Sequence, residues 1–296
     1  MEFEILAASM QSKMNPPDEN TSVPPVLPMA DAESTAPVNR KRWWIHLVLL
    51  GAYPLAVGML GWVRNSSRQP ALGHGAKGLL LVCLIEVLVF TAVFFLAWLA
   101  SRVSRDALLL RWRTGFWTIP MGVGYSVALR LALGLVVAVV ALSLIVFHVT
   151  SADGLRNFFS ANRPDVEALV DVSALRDNPV YYWLTLTLVS FGLGGLREEI
   201  WRSGFMAGMA ALWPRKFAAR GGQFVATTAA AVIFGLGHLT QGPLAVCLTG
   251  LLGLGLGAII VAHRSIWPAV IAHGLFDATS LALLPWAADM LKQISH

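Results

Sequence analysis

Seven stretches of this chain are apolar over about the 20 residues a helix needs to cross a bilayer. They run roughly over 43–63, 78–100, 121–148, 181–213, 223–240, 244–262 and 266–286. Hydrocarbon offers backbone N–H and C=O groups no partner, so each stretch must satisfy its own hydrogen bonds as a helix. The fold class is therefore all-α: a polytopic transmembrane helical bundle of about seven membrane helices. The fourth stretch is too long for one level span, and a break near its glycines at 192, 194 and 195 raises the count to eight. Only 13% of the residues are charged, against about 25% in a soluble domain.

Residues 1–39 stand apart. They are polar, rich in Pro, Ser, Asn and Asp, and read as a disordered N-terminal tail, which leaves 40–296 as the transmembrane domain. The tail has no signal-peptide pattern, so insertion is expected to begin at the first uncleaved helix. If the helices alternate, four basic groups share one side. These are Arg40, Lys41 and Arg42; Arg102, Arg105, Arg111 and Arg113; Arg215, Lys216 and Arg220; and Arg264. That side is then cytoplasmic, with the N-terminus inside. The acidic 149–180 loop, with Asp153, Asp165, Glu167, Asp171 and Asp177, falls outside. The 64–77 loop, with Arg64, Arg68 and Lys77, runs against the pattern.

The net charge of +5 thus reflects helix flanks, and no basic-aromatic surface points to a nucleic-acid partner. The lipid bilayer of a bacterial-type cell membrane is the expected setting. Cys83 and Cys247, both in apolar spans, read as buried small hydrophobes. Gly204 with Gly208, and Gly253 with Gly257, have the four-residue spacing that lets membrane helices approach closely.

Against this background the ionisable residues inside the spans are costly, at roughly 2.5–3.5 kcal/mol for Asp at a helix centre. Glu198 and Glu199 sit in the fourth stretch between Arg197 and Arg202. His238 closes the segment Phe234-Gly-Leu-Gly-His, and His273 lies four residues before Asp277. Each feature alone has a plain structural reading: a boundary charge cluster, an interhelical histidine, a His–Asp pair. Together they occupy three neighbouring helices, and polar membrane residues face the bundle interior or a water-filled cavity. The i,i+4 spacing lets Glu198 pair with Arg202. Glu86 and Arg130, each about nine residues into its helix, are expected to meet as a structural ion pair. His46, His74, His148 and His263 fall at span ends or in loops and are expected at the interface.

Such a set suits amide hydrolysis. A glutamate in a low-dielectric cavity can take a proton from water and return it to the leaving amine. Histidine N–H groups can stabilise the oxyanion, or the imidazoles can bind a metal that does so. His-Glu-x-x-His and Gly-x-Ser-x-Gly signatures are absent. A proton-coupled carrier using the same charges as a relay is the rival class, although no inverted repeat is visible. A binding or immunity protein without hydrolysis is another.

The pattern resembles the CPBP family of CAAX prenyl proteases and bacteriocin-processing enzymes over about residues 180–286. Its motifs are Glu-Glu-x-x-x-Arg, Phe-x-x-x-His and His-x-x-x-Asn or Asp, each on its own helix. The resemblance implies an intramembrane endopeptidase acting on a membrane-associated peptide or protein tail. Glu198 corresponds to the water-activating glutamate and Glu199 to its neighbour. His238, His273 and Asp277 correspond to the residues that hold water and stabilise the oxyanion. Arg202 departs from the pattern, four residues after the first glutamate instead of five, with Ser203 in the usual place and Gly204 matching. No cofactor is expected on the glutamate mechanism; zinc is the alternative, with Glu198, His238 and His273 as ligands. His238 should lie near the outer end of its span and His273 about eight residues inside the seventh, leaving the two apart in depth.

Overall fold

The structure, a computed structural model, describes residues 39–64, 70–217 and 220–294. The expected tail 1–39 therefore lies outside the described residues, Asn39 excepted. The chain runs through α1 (Arg40–Arg64), α2 (Gly75–Ser101), α3 (Thr118–Val146), the short α4 (Ala152–Ala161), α5 (Val172–Asp177) and α6 (Pro179–Leu184). A π-helical segment (Thr185–Arg197) continues α6 and leads directly into α7 (Glu198–Leu212). The short α8 (Pro214–Phe217) is followed by α9 (Arg220–Gly237), α10 (Pro243–His263) and α11 (Trp267–Ile294).

Six of these runs are long and apolar enough to span a membrane, and the apolar part of α9 is shorter, at Gly221–Gly237. The expected fifth span is thus a short one that ends just before His238. The fourth stretch does not divide. It is a single 34-residue helical run, Pro179–Leu212, whose middle widens to i→i+5 bonding. The Ser190 hydroxyl follows that wider turn, donating to the Thr185 carbonyl 3.0 Å away.

Unlike a soluble protein, the bundle turns apolar side chains outward. Leu81, Leu84, Leu88, Leu131, Leu135 and Leu142 are all exposed, as lipid-facing positions require. Exposed Trp44, Trp112, Phe116 and Trp117 ring one end, and Phe147, Trp183 and Trp286 the other, matching interfacial aromatic belts. Loop contacts define the same two ends. The Arg42 guanidinium donates to the Leu99 carbonyl, and the Ile266 N–H to the Leu109 carbonyl. At the opposite end, Ala71 and Leu72 bond to Ala168 and Leu169, and Asp165 bonds to Gln241. Both Cys83 and Cys247 are free thiols; Cys83 is buried, whereas Cys247 is exposed on the bundle's outer surface, against expectation.

The paired glycines mark close crossings. A Cβ on Gly204 would stand 2.8 Å from Leu50 Cδ1, and one on Gly253 would stand 2.8 Å from Phe234 Cδ1. His46 is not interfacial. It is fully buried, with its ring nitrogens against the Ala97 and Gly204 carbonyls and the Ser101 hydroxyl, and so ties α1 to α2 and α7. His263 sits 2.7 Å from the Tyr125 hydroxyl, holding α10 to α3.

Asp171 organises the 149–178 loop. It caps α5 through the Ala174 N–H, accepts from Ser173, and pairs with His74 at 3.1 Å. Burial pushes its carboxyl up, but these three partners outweigh that and bring it to about 2. A depressed carboxyl stabilises the fold fully above about pH 4 and loses that contribution as pH falls through about 2. Hydrogen-exchange protection at Ala174 and Leu175 should therefore hold at pH 5 and fade between pH 4 and 2. The Asp171→Asn variant should lack most of this acid-dependent change.

Candidate functional site

The site begins where the π-helical segment becomes α7. Gly194 and Gly195 lie just before that junction, and they let α11 pass at backbone distance. A Cβ on Gly195 would stand 2.8 Å from the Val270 carbonyl oxygen and 3.5 Å from the Gly274 nitrogen. One on Gly194 would run into the Asp277 carboxylate. Adding a methyl at Gly195 must move backbone, because no flexible side chain is there to yield. Gly195→Ala should destabilise the bundle by about 1–3 kcal/mol, read as a lower thermal midpoint in detergent, and should also shift His273 relative to the glutamates.

This crossing brings the first-turn glutamates of α7 against His273. Glu199 is fully buried and makes two contacts. Its Oε1 lies 2.8 Å from His273 Nδ1, and its Oε2 accepts from Arg202 Nη1. A carboxylate oxygen can only accept, so Nδ1 carries a proton and the tautomer is set. His273 Nε2 is thereby turned toward two further carboxylates, Glu198 Oε2 at 3.7 Å and Asp277 Oδ2 at 3.6 Å. Both separations exceed a hydrogen bond and suit a bridging water. Glu198 is partly accessible, with 17% of its side chain exposed, and Asp277 more so at 31%.

Arg202 is buried beneath this pair. It lies over the Phe234 ring, 4.6 Å from the centroid, and its Nε and Nη2 have no hydrogen-bond partner among the described residues. The Phe234 ring also meets both imidazoles edge-on, with centroids 4.7 Å from His238 and 6.0 Å from His273. The expected depth mismatch is bridged in this way, because the two histidines flank one phenyl ring. His238 donates from Nδ1 to the Phe234 carbonyl at 2.9 Å, which leaves its Nε2 as an acceptor.

The structure brings Glu198, Glu199, His273 and Asp277 together, with His238 at the edge of the group. Two expected pairings are corrected. Arg202 binds Glu199, three residues earlier, and not Glu198; i,i+3 shares a face as well as i,i+4 does. Glu86 pairs with Arg197 at 2.5 Å, not with Arg130. Arg130 instead donates to the Ser126 hydroxyl, to the Leu275 and Phe276 carbonyls and to Thr279, and lies over the Phe276 ring. Arg197 also holds Glu198 Oε1 at 2.9 Å. Its role went unread because a residue adjacent in sequence does not share a face on an ordinary α-helix.

Among the described residues, no group of three or more His, Cys, Asp and Glu side chains is placed to hold a metal ion.

The chain is a multi-pass helical membrane protein that sets a carboxylate doublet, Glu199 buried and Glu198 partly accessible, against the His273 imidazole. Residues 179–279 match the family model described as Type II CAAX prenyl endopeptidase Rce1-like. The matched segment spans the π-helical segment, the glutamate doublet and both histidine motifs, and agrees with the family that those motifs resemble. No curated protein and no solved structure matches the chain.

Proposed function

We propose that the protein is an endopeptidase that cleaves a membrane-associated peptide or protein tail of the CAAX type, with water activated by Glu198. The observation that carries this reading is the convergence of Glu198 Oε2 and Asp277 Oδ2 on His273 Nε2, whose tautomer Glu199 sets. Water between these groups donates a proton to Glu198 as its oxygen attacks the scissile carbonyl. The carbonyl oxygen becomes an oxyanion, stabilised by His273 in its doubly protonated form, donating from Nε2, while His238, whose Nε2 accepts, holds water on the far side of Phe234. Glu198 then returns its proton to the leaving amine as the C–N bond breaks. Asp277 steadies the imidazole while charge develops. Arg202 compensates the buried Glu199 and so acts through His273.

No step in this reading is routed through a metal. The family name points to a prenylated tail, and a C-terminal Cys-a-a-X sequence is the matching substrate class. A cytoplasmic N-terminus is supported by Arg40, Lys41, Arg42, Arg102, Arg105, Arg111 and Arg113, which lie toward one end of the bundle. The 1–39 tail is assigned no part in catalysis.

The test is a purified, reconstituted protein with an internally quenched farnesylated peptide ending in Cys-a-a-X. Cleavage that releases the last three residues and persists in excess chelator is expected. Loss of cleavage in chelator, restored by zinc, would contradict the metal-free mechanism.

A further inference from the structure

We propose that Arg197 and Glu86 are positioning residues that aim Glu198: Arg197 occupies one oxygen of the glutamate so that the other faces His273, and Glu86 anchors Arg197 from α2. This rests on the endopeptidase reading above and extends the site beyond the matched segment. The geometry is a relay across three helical runs. Tyr53 on α1 donates to Glu86 Oε2 at 3.4 Å, and Arg197 Nη1 reaches the same oxygen at 2.5 Å. Arg197 Nη2 then holds Glu198 Oε1 at 2.9 Å. The two arms of one planar guanidinium thus grip two carboxylates, a fork geometry that a single ammonium cannot reproduce.

Charge explains why the relay should matter. Glu198, Glu199 and Asp277 all crowd His273, and in a low-dielectric interior their repulsion would turn an untethered Glu198 away. Arg202 is bonded to Glu199 and not to Glu198. Arg197 is the cation bonded to Glu198. Glu86 in turn supplies Arg197 with a second anion, which fixes the direction of the fork. Arg197 closes the last turn of the π-helical segment, where the widened turn directs it across to α2. A π-helical insertion of this kind, adjoining a reactive residue, commonly serves a site.

The experiment uses the full chain in detergent and has two arms. In the kinetic arm, Arg197→Gln and Glu86→Gln should each lower kcat on the farnesylated peptide about 100-fold with KM within about twofold. Arg197→Lys and Glu86→Asp should each recover about tenfold of that loss, while thermal midpoints stay within a few degrees. A loss that tracks unfolding, or that the conservative variants do not recover, would overturn the proposal.

The second arm needs no turnover. Dicyclohexylcarbodiimide attacks carboxyl groups in apolar surroundings, and its adduct on Glu198 can be counted by mass spectrometry. Freed from its cation, Glu198 should label about tenfold faster in Arg197→Gln than in the wild type, and at an intermediate rate in Glu86→Gln, where Arg197 remains but its fork has lost its anchor. Equal labelling in all three would overturn the relay. If the wild type fails to cleave the peptide, the substrate assignment falls and the labelling alone decides the relay.

Discussion

Replacing Glu198 by alanine should lower kcat for peptide cleavage by about a thousandfold or more while leaving insertion and stability nearly unchanged. The carboxylate is partly accessible, and its contacts are to groups that keep other partners. Arg197 retains Glu86, and His273 retains Glu199. What disappears is the oxygen facing His273 Nε2, and with it the base for water. Glu198→Gln should behave alike, since an amide of the same shape cannot take the proton. The check is single-turnover cleavage of the farnesylated peptide beside a thermal melt in detergent. Retained turnover in either variant would remove Glu198 from the chemistry.

Arg202→Ala should have the largest effect on folding. It strips the fully buried Glu199 of its arginine partner, and breaking one side of a buried pair costs about 3–5 kcal/mol. It also removes the cation over Phe234. Lysine should not rescue it well, because the stem and point charge cannot both lie on the ring and reach the carboxylate. Replacing both partners, as Glu199→Gln with Arg202→Met, should recover most of the stability, since no unpaired charge remains. That double variant should still be slow, because the carboxylate that orients His273 is gone. Thermal midpoints with kcat for the single and double variants separate these roles. Full activity in the double variant would remove Glu199 from the orienting part assigned to it.

The membrane helices were legible because the hydrophobic effect and backbone satisfaction leave apolar 20-residue stretches one solution. The α9 helix was read at the right length but three residues late: it runs Arg220–Gly237, and Leu239–Gln241 form a 3₁₀ turn. The π-helical segment was invisible. Its sequence differs from an α-helix only in packing demands made by α11, although the glycines at 192, 194 and 195 marked the place. Membership of the site was readable from charged residues in hydrocarbon. Partners were not. Several arrangements satisfy the same depth, so Glu86 was matched to Arg130 when the turn of the π-helical segment delivers Arg197 to it instead. Likewise the choice of Glu199 over Glu198 for Arg202 depends on which glutamate faces inward, and that is set by the helix crossing at Gly195.

The most direct measurement compares new C-termini in the membrane proteome of cells making the wild-type chain with those making Glu198→Gln at equal abundance. A set of membrane-associated tails should appear trimmed only with the wild type, and an overlapping set should stay uncut with His273→Ala. Identical termini in all three would contradict a proteolytic centre at this helix crossing.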